Sequence, residues 1–199
     1  MAKLLGNTKD LFDWNEVTSW CEKDGGVASG LVQAGDDYMD YWNKTLLNEE
    51  NTHESEMNDY WHDLFGCGYR WDLIWWQWIG TDMYKEFIDK FSKHIKVKHL
   101  KSFVSRLDPG NVAPPHWDEC DSALVTPTNE GKIFRYIVFL NDPDPGQAFL
   151  LKDHCHYNEK AGGLYLWDDY RDFHAAFNTG SKPQYLFHFI GTTDGYQDE

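Results

Sequence analysis

The sequence predicts an α+β domain in which N-terminal helices back a small β-sandwich or barrel. Three observations carry that reading. Apolar residues in the first half recur at helical spacing, short β-like runs broken by turn residues fill the second half, and the character changes near Lys98. At 199 residues the chain fits one domain with a sizeable core. The expected layout is a single domain over 1–199: mainly helical support over 1–98, a β core over 99–191 and a frayed tail over 192–199.

Asp13 and Glu16 form a capping-box pattern ahead of Trp14, Val17, Trp20 and Cys21, which predicts the first helix. Tyr38, Tyr41, Trp42 and Leu46 make a second stripe. Met57, Tyr60, Trp61, Leu64 and Phe65, closed by Gly66, make a third. Tyr84, Phe87, Ile88, Phe91 and Ile95 make a fourth, starting near Thr81 or Asp82. Such stripes are core faces far more often than cofactor boxes.

Strands follow. His99 to Leu107 is stopped by Asp108-Pro109-Gly110, and Val112 to Asp118 comes next. Ile133 to Leu140 is the most strand-like run, closed by the Asn141 to Gly146 turn. Ala148 to Lys152, Gly163 to Trp167, His174 to Phe177 and Tyr185 to Ile190 complete the set. Strands this short and evenly spaced suit a sandwich, barrel or jelly roll.

Composition excludes several functions. A formal charge of −15 without a basic stripe argues against nucleic acid as the main partner. A membrane-spanning helix needs about twenty apolar residues. The most apolar stretch, Trp71 to Ile79, is about half that and carries Asp72 and Gln77. The N-terminal residues do not form a signal peptide, and Cys21, Cys67, Cys120 and Cys155 are scattered, so a cytoplasmic protein with reduced thiols is expected. Aromatic residues make up 17% of the chain, which reads as a ring-rich core ahead of a ring-lined cavity. Nothing in the sequence specifies an oligomeric state.

The chemistry is concentrated in His116-Trp117-Asp118 and His174, 56 residues after Asp118. On a strand, residues at i and i+2 share a face, so His116 and Asp118 would converge while Trp117 points away. Two imidazoles and a carboxylate are the ligand set of the non-haem Fe(II) facial triad, which leaves metal positions open for a co-substrate and O2. A His-x-Asp pair is weak evidence alone in a chain with nine His and 33 acidic residues; its place after a Pro-Gly turn strengthens it. His154 and His156 form a His-x-His pair of a kind that can bind metal, but it sits in the polar stretch from Lys152 to Asn158, where a loop is the favoured reading.

Several segments share a resemblance. Ser105-Arg-Leu-Asp-Pro-Gly-Asn-Val-Ala-Pro-Pro-His-Trp-Asp118 resembles the strand–turn–strand entry of Fe(II)/2-oxoglutarate-dependent oxygenases of the prolyl-hydroxylase branch. Arg135 to Asn141 is similar to that family's strand ending in Tyr-Leu-Asn. Gly163 to Asp168 followed by His174 to Asn178 resembles its approach to the distal histidine, and Tyr185 to Gly191 its last core strand. More loosely, the chain is similar to small oxygenases encoded by cyanobacterial phages, for which the host cytoplasm is the expected location. The match covers roughly 100–191 and leaves the helical half unaccounted for.

The resemblance implies a double-stranded β-helix (a jelly-roll, cupin-like barrel) with His116, Asp118 and His174 as iron ligands. It also implies 2-oxoglutarate and O2 as co-substrates, decarboxylation to succinate and hydroxylation of a C–H bond. Related halogenases replace the carboxylate with a small residue, so Asp118 favours hydroxylation. A peptide side chain, a free amino acid and a small metabolite all suit as substrate.

The family's usual anchor for the distal carboxylate of 2-oxoglutarate, an Arg or Lys about ten residues after the distal His, is Gln184 here, and its assisting Tyr is Phe139. A buried carboxylate needs a cationic or multiply hydrogen-bonded partner. Arg135, four residues before Phe139 on the same strand face, is the candidate replacement; Gln184, His188 and Arg106 are further candidates for lining the co-substrate site. Two other readings stand beside this one. A cupin-type metal enzyme or sugar-binding protein would suit Gly110 six residues before His116 and Asn178 four after His174, although Asp118 replaces the second His usual in cupins and the second motif lacks its Pro-x-Gly. A non-catalytic structural or interaction protein on the same barrel is the third.

Overall fold

The computed structural model describes residues 3–24, 31–33, 72–76, 82–116, 133–167 and 172–194. The stripes at Tyr38–Leu46 and Met57–Phe65 lie outside these residues, as do Trp117, Asp118 and the tail from 195 onward.

Two antiparallel sheets face each other. The larger runs β1–β9–β6–β11–β4–β3–β2. Its members are β1 (Lys3–Asn7), β2 (Leu31–Gln33), β3 (Asp72–Trp76), β4 (Lys98–Leu107), β6 (Ile133–Phe139), β9 (Gly163–Trp167) and β11 (Gln184–Thr192). The smaller runs β5–β10–β7–β8, from β5 (Val112–His116), β10 (His174–Asn178), β7 (Gln147–Leu151) and β8 (His154–His156). Two helices, α1 (Trp14–Asp24) and α2 (Asp82–Ile95), accompany the larger sheet. Strands that alternate between two facing antiparallel sheets make this a double-stranded β-helix with helical backing.

Alternation along the strands sorts side chains into two cores. Val104, Tyr136, Val138, Phe187 and Phe189 face outward and pack against Trp14, Val17, Phe87 and Phe91 of the helices. Phe187 is the hub, meeting Phe87 and Phe91 edge-on at centroid distances of 4.9 and 5.2 Å. The residues between them turn inward: Leu107, Ile137, Phe139, Tyr165, Trp167 and Leu186 meet Ala113, Phe149, Leu151 and Ala176 of the smaller sheet. Much of the aromatic content is therefore core, split between the two faces of one sheet.

The helix starts are local. Asp13 Oδ1 accepts the Asn15 N–H at 3.0 Å, satisfying one of the donors that a helix N-terminus leaves open. The expected strands of the second half appear with ends shifted by one or two residues. Among the described residues the first half also contributes strands: β1 pairs with β9, and Asp72–Trp76, inside the most apolar stretch, pairs with β4 as β3. A short apolar run has no period that tells a buried strand from a helix. His154–His156 is not loop but the strand β8, paired with β7.

Candidate metal and co-substrate site

The register of the smaller sheet sets His174 directly opposite His116. On its other side His174 pairs with Leu151, which pairs with His154. The next inner row, two residues along β10, is Ala113, Ala176, Phe149 and His156. Ala113, Ala176, Phe149 and Leu151 belong to the inner core, so His174, in register with Leu151, lies on the barrel's interior face.

Between these rows β10 advances two residues and β5 three. The extra residue of β5 falls at Pro114-Pro115, between Ala113 and His116. Asp118, two residues further, lies outside the described residues.

His174 is buried, and its Nδ1 lies 3.2 Å from the Asp172 carbonyl oxygen. A carbonyl only accepts, so Nδ1 carries the proton and Nε2 the lone pair, the tautomer that a metal-binding histidine needs. The segment that carries this carbonyl is tied to Lys152 at two points. Lys152 Nζ pairs with Asp172 Oδ1 at 2.7 Å, and the Lys152 N–H donates to the Phe173 carbonyl at 2.7 Å. Trp167 walls the histidine, the two rings meeting edge-on at 4.4 Å.

Arg135 stands opposite Trp167 in the adjacent strand, its guanidinium 4.5 Å from the Trp167 ring centroid. It is buried and shares the inward face of β6 with Ile137 and Phe139. Through Trp167 it lies at the His174 end of the interior. His188 faces inward nearby, opposite Ile137; it stacks on Phe103 at 4.4 Å and its Nε2 lies 3.0 Å from Ser105 Oγ.

Gln184 also faces inward, opposite Leu107, but four residues before His188 along β11. At about 3.3 Å per residue that is about 13 Å away, toward the Asn178 end of the barrel. Asn178 Nδ2 donates there to the carbonyls of Leu107 and Lys182 at 2.7 and 2.8 Å. Counting ten residues from His174 crosses a turn, so sequence distance misplaces Gln184. Its Oε1 is buried and has no hydrogen-bond partner among the described residues.

Arg106, expected at the mouth, is corrected. It pairs with Tyr185, which packs on the helix-facing core, so it points away from His174. Its guanidinium donates to Glu22 of α1 at 2.8 Å and to Asp108 at 2.9 Å. Partial burial pushes the Glu22 carboxyl up, but the hydrogen bonds from Arg106 and Tyr185 and the Arg106 charge outweigh it and hold the carboxyl below its usual range.

A third group has its own place in the interior. His156 is buried among Phe139, Phe149 and Tyr165, with Nδ1 2.9 Å from Glu159 Oε1. The Tyr165 hydroxyl donates to Glu159 Oε2. Burial pushes the His156 imidazole below its usual pKa, against the pull of Glu159. Burial and the adjacent carboxylate both push the Tyr165 phenol up. Sequence reasoning singled out the His-x-His pair but missed Glu159, three residues after His156, and the Tyr165 hydroxyl beside it.

No helix among the described residues is long and apolar enough to cross a membrane. No family model and no curated protein matches the chain. Solved structures with a similar fold include the viral collagen prolyl hydroxylase of Paramecium Bursaria Chlorella virus-1 in its 2-oxoglutarate complex, at 17% identity and a TM-score of 0.45 over 60% of this chain and 79% of that one. A Pseudomonas putida prolyl-4-hydroxylase matches at 12% identity and a TM-score of 0.40, over 61% and 69% of the two chains. A Thermotoga maritima protein described as a predicted oxalate decarboxylase matches at 14% and 0.38, over 61% and 81%.

Proposed function

We propose that the chain is a non-haem Fe(II)- and 2-oxoglutarate-dependent dioxygenase that hydroxylates a C–H bond of a peptide side chain, an amino acid or a small metabolite. The observation that carries this reading is the backbone pairing of the buried His174 with His116, with the His174 ring held in the tautomer that a metal ligand needs. His116, Asp118 and His174 would hold the iron, a ligand set that leaves positions open on one side. Bound there with 2-oxoglutarate, the iron supplies O2 activation coupled to decarboxylation of the co-substrate to succinate.

Arg135 would hold the distal carboxylate. A guanidinium held over an indole face has its N–H donors in its own plane, where a carboxylate is recognised edge-on. The Trp167 ring beside both Arg135 and His174 would exclude water and strengthen the polar contacts made there. His188, fixed by Ser105 and Phe103, would line the same end.

The test is anaerobic addition of Fe(II) followed by 2-oxoglutarate. A weak visible charge-transfer band is expected only with both. Confirmed iron binding with no band on adding 2-oxoglutarate would refute the co-substrate and favour a second reading, a cupin-type metal enzyme. That reading draws on the uncharged Gln184 and Phe139 on the inward face.

A further inference from the structure

His154 and His156 occupy i and i+2 of β8 and so share its inward face. Their rings stand nearly perpendicular, at 72°, with centroids 4.5 Å apart. Glu159, three residues on, brings a carboxylate oxygen to 2.9 Å from His156 Nδ1. One nitrogen from each histidine and one oxygen of Glu159 all lie within 4.8 Å of one another. Two atoms each about 2.0–2.1 Å from one ion are about 2.8–3.4 Å apart, so the His156–Glu159 pair already has the spacing of adjacent ligands. His154 is exposed and can close the remaining gap by side-chain rotation.

This group is separate from the His116–His174 row. His154 pairs with Leu151 and Leu151 with His174, so two strand spacings, about 10 Å, part the two histidines. Leu151, fully buried, stands between them. His174 brings no ligand atom into the group that His154, His156 and Glu159 form.

We infer that His154, His156 and Glu159 form a second metal site that takes Zn2+ and clamps β8 to the turn leading into β9. Two imidazoles and one carboxylate are ordinary zinc ligands, and hard cations such as Mg2+ or Ca2+ prefer all-oxygen sets. The Tyr165 hydroxyl on the other Glu159 oxygen orients the carboxylate, as outer-shell donors do around bound metals. The hydrogen-bonded chain His156–Glu159–Tyr165 would be complete without a metal, but it gives no role to His154, whose ring converges on the same point.

The experiment is a ZnCl2 titration with Co2+ as spectroscopic probe, in wild type and in His174→Ala, which lacks a ligand of the proposed iron site. The His174→Ala protein should retain one tight Zn2+, and Co2+ in its place should show visible d–d absorption. Adding His154→Ala or Glu159→Gln should weaken that site at least tenfold. Should His174→Ala fail to fold, the same two substitutions in the wild-type background should lower the zinc stoichiometry by one. They should leave the Fe(II)/2-oxoglutarate band unchanged. Zinc binding indifferent to both substitutions would overturn the site. Loss of that band in His154→Ala would equally overturn it, because the cluster would then be part of the iron centre.

Discussion

Arg135 and Trp167 face each other across β6 and β9, and the indole that the guanidinium covers also meets the His174 imidazole. A cation and the histidine proposed as a metal ligand are thereby set against one rigid ring. The distance between the two functions is fixed by the sheet, not by a loop.

Arg135→Ala is expected to weaken 2-oxoglutarate binding by about ten- to a hundredfold, the range for losing a charge-assisted hydrogen bond. Iron affinity should stay within about twofold. Arg135→Lys, which keeps the charge but loses the planar fork, should fall in between. Titrating the charge-transfer band checks all three, and an unchanged 2-oxoglutarate affinity in Arg135→Ala would remove Arg135 from the site.

Gln184→Leu is expected to leave 2-oxoglutarate affinity unchanged, because Gln184 sits at the opposite end of the interior from His188. It should also raise stability by up to about 1 kcal/mol, since the buried Oε1 has no partner to lose. Urea denaturation reads the second effect. A loss of co-substrate binding would restore Gln184 as the anchor.

Glu22→Gln should cost about 1 kcal/mol at pH 7, a modest figure because the carboxylate is partly exposed. The folded carboxyl titrates below its usual value, so its contribution is complete above the ordinary carboxylate range and is lost as pH falls through the folded value. The stability gap between wild type and Glu22→Gln should therefore shrink by pH 3. Arg106→Ala should destabilise similarly without touching 2-oxoglutarate affinity.

Burial pushes the His99 imidazole down to about 4, with Asp89 opposing. The unfolded chain then binds a proton that the folded protein does not between about pH 6.5 and 4, so stability should fall as pH drops through that window. The loss is of order 2 kcal/mol once part exposure is allowed for. In His99→Gln the slope of urea-derived stability against pH should flatten; an unchanged slope would place the titration elsewhere.

How much of this could be read beforehand follows from which signals are local. Pro-Gly turns and β-rich runs marked β4 to β7 and β9 to β11 to within two residues, and helical spacing marked α1 and α2. β1 is fully exposed and carries no alternation to betray it, and β8 is three residues in a polar stretch. Faces were harder than elements. Alternation put Arg106 and Arg135 on definite sides of their strands, but which side met the helices depends on how the layers stack. His174 and His116 were legible as chemistry; that they sit opposite each other is a matter of register, which chain spacing does not contain.

Pro114 and Pro115 have one more consequence. β5 is the outermost described strand of the smaller sheet, with one of its sides turned away from β10. Proline has no N–H, and successive N–H groups of a strand point to opposite edges, so a Pro-Pro pair removes a donor whichever edge is approached. The irregular stretch that precedes His116 thus also makes β5 a poorer template for a second chain, which guards the proposed ligand strand against intermolecular β-association.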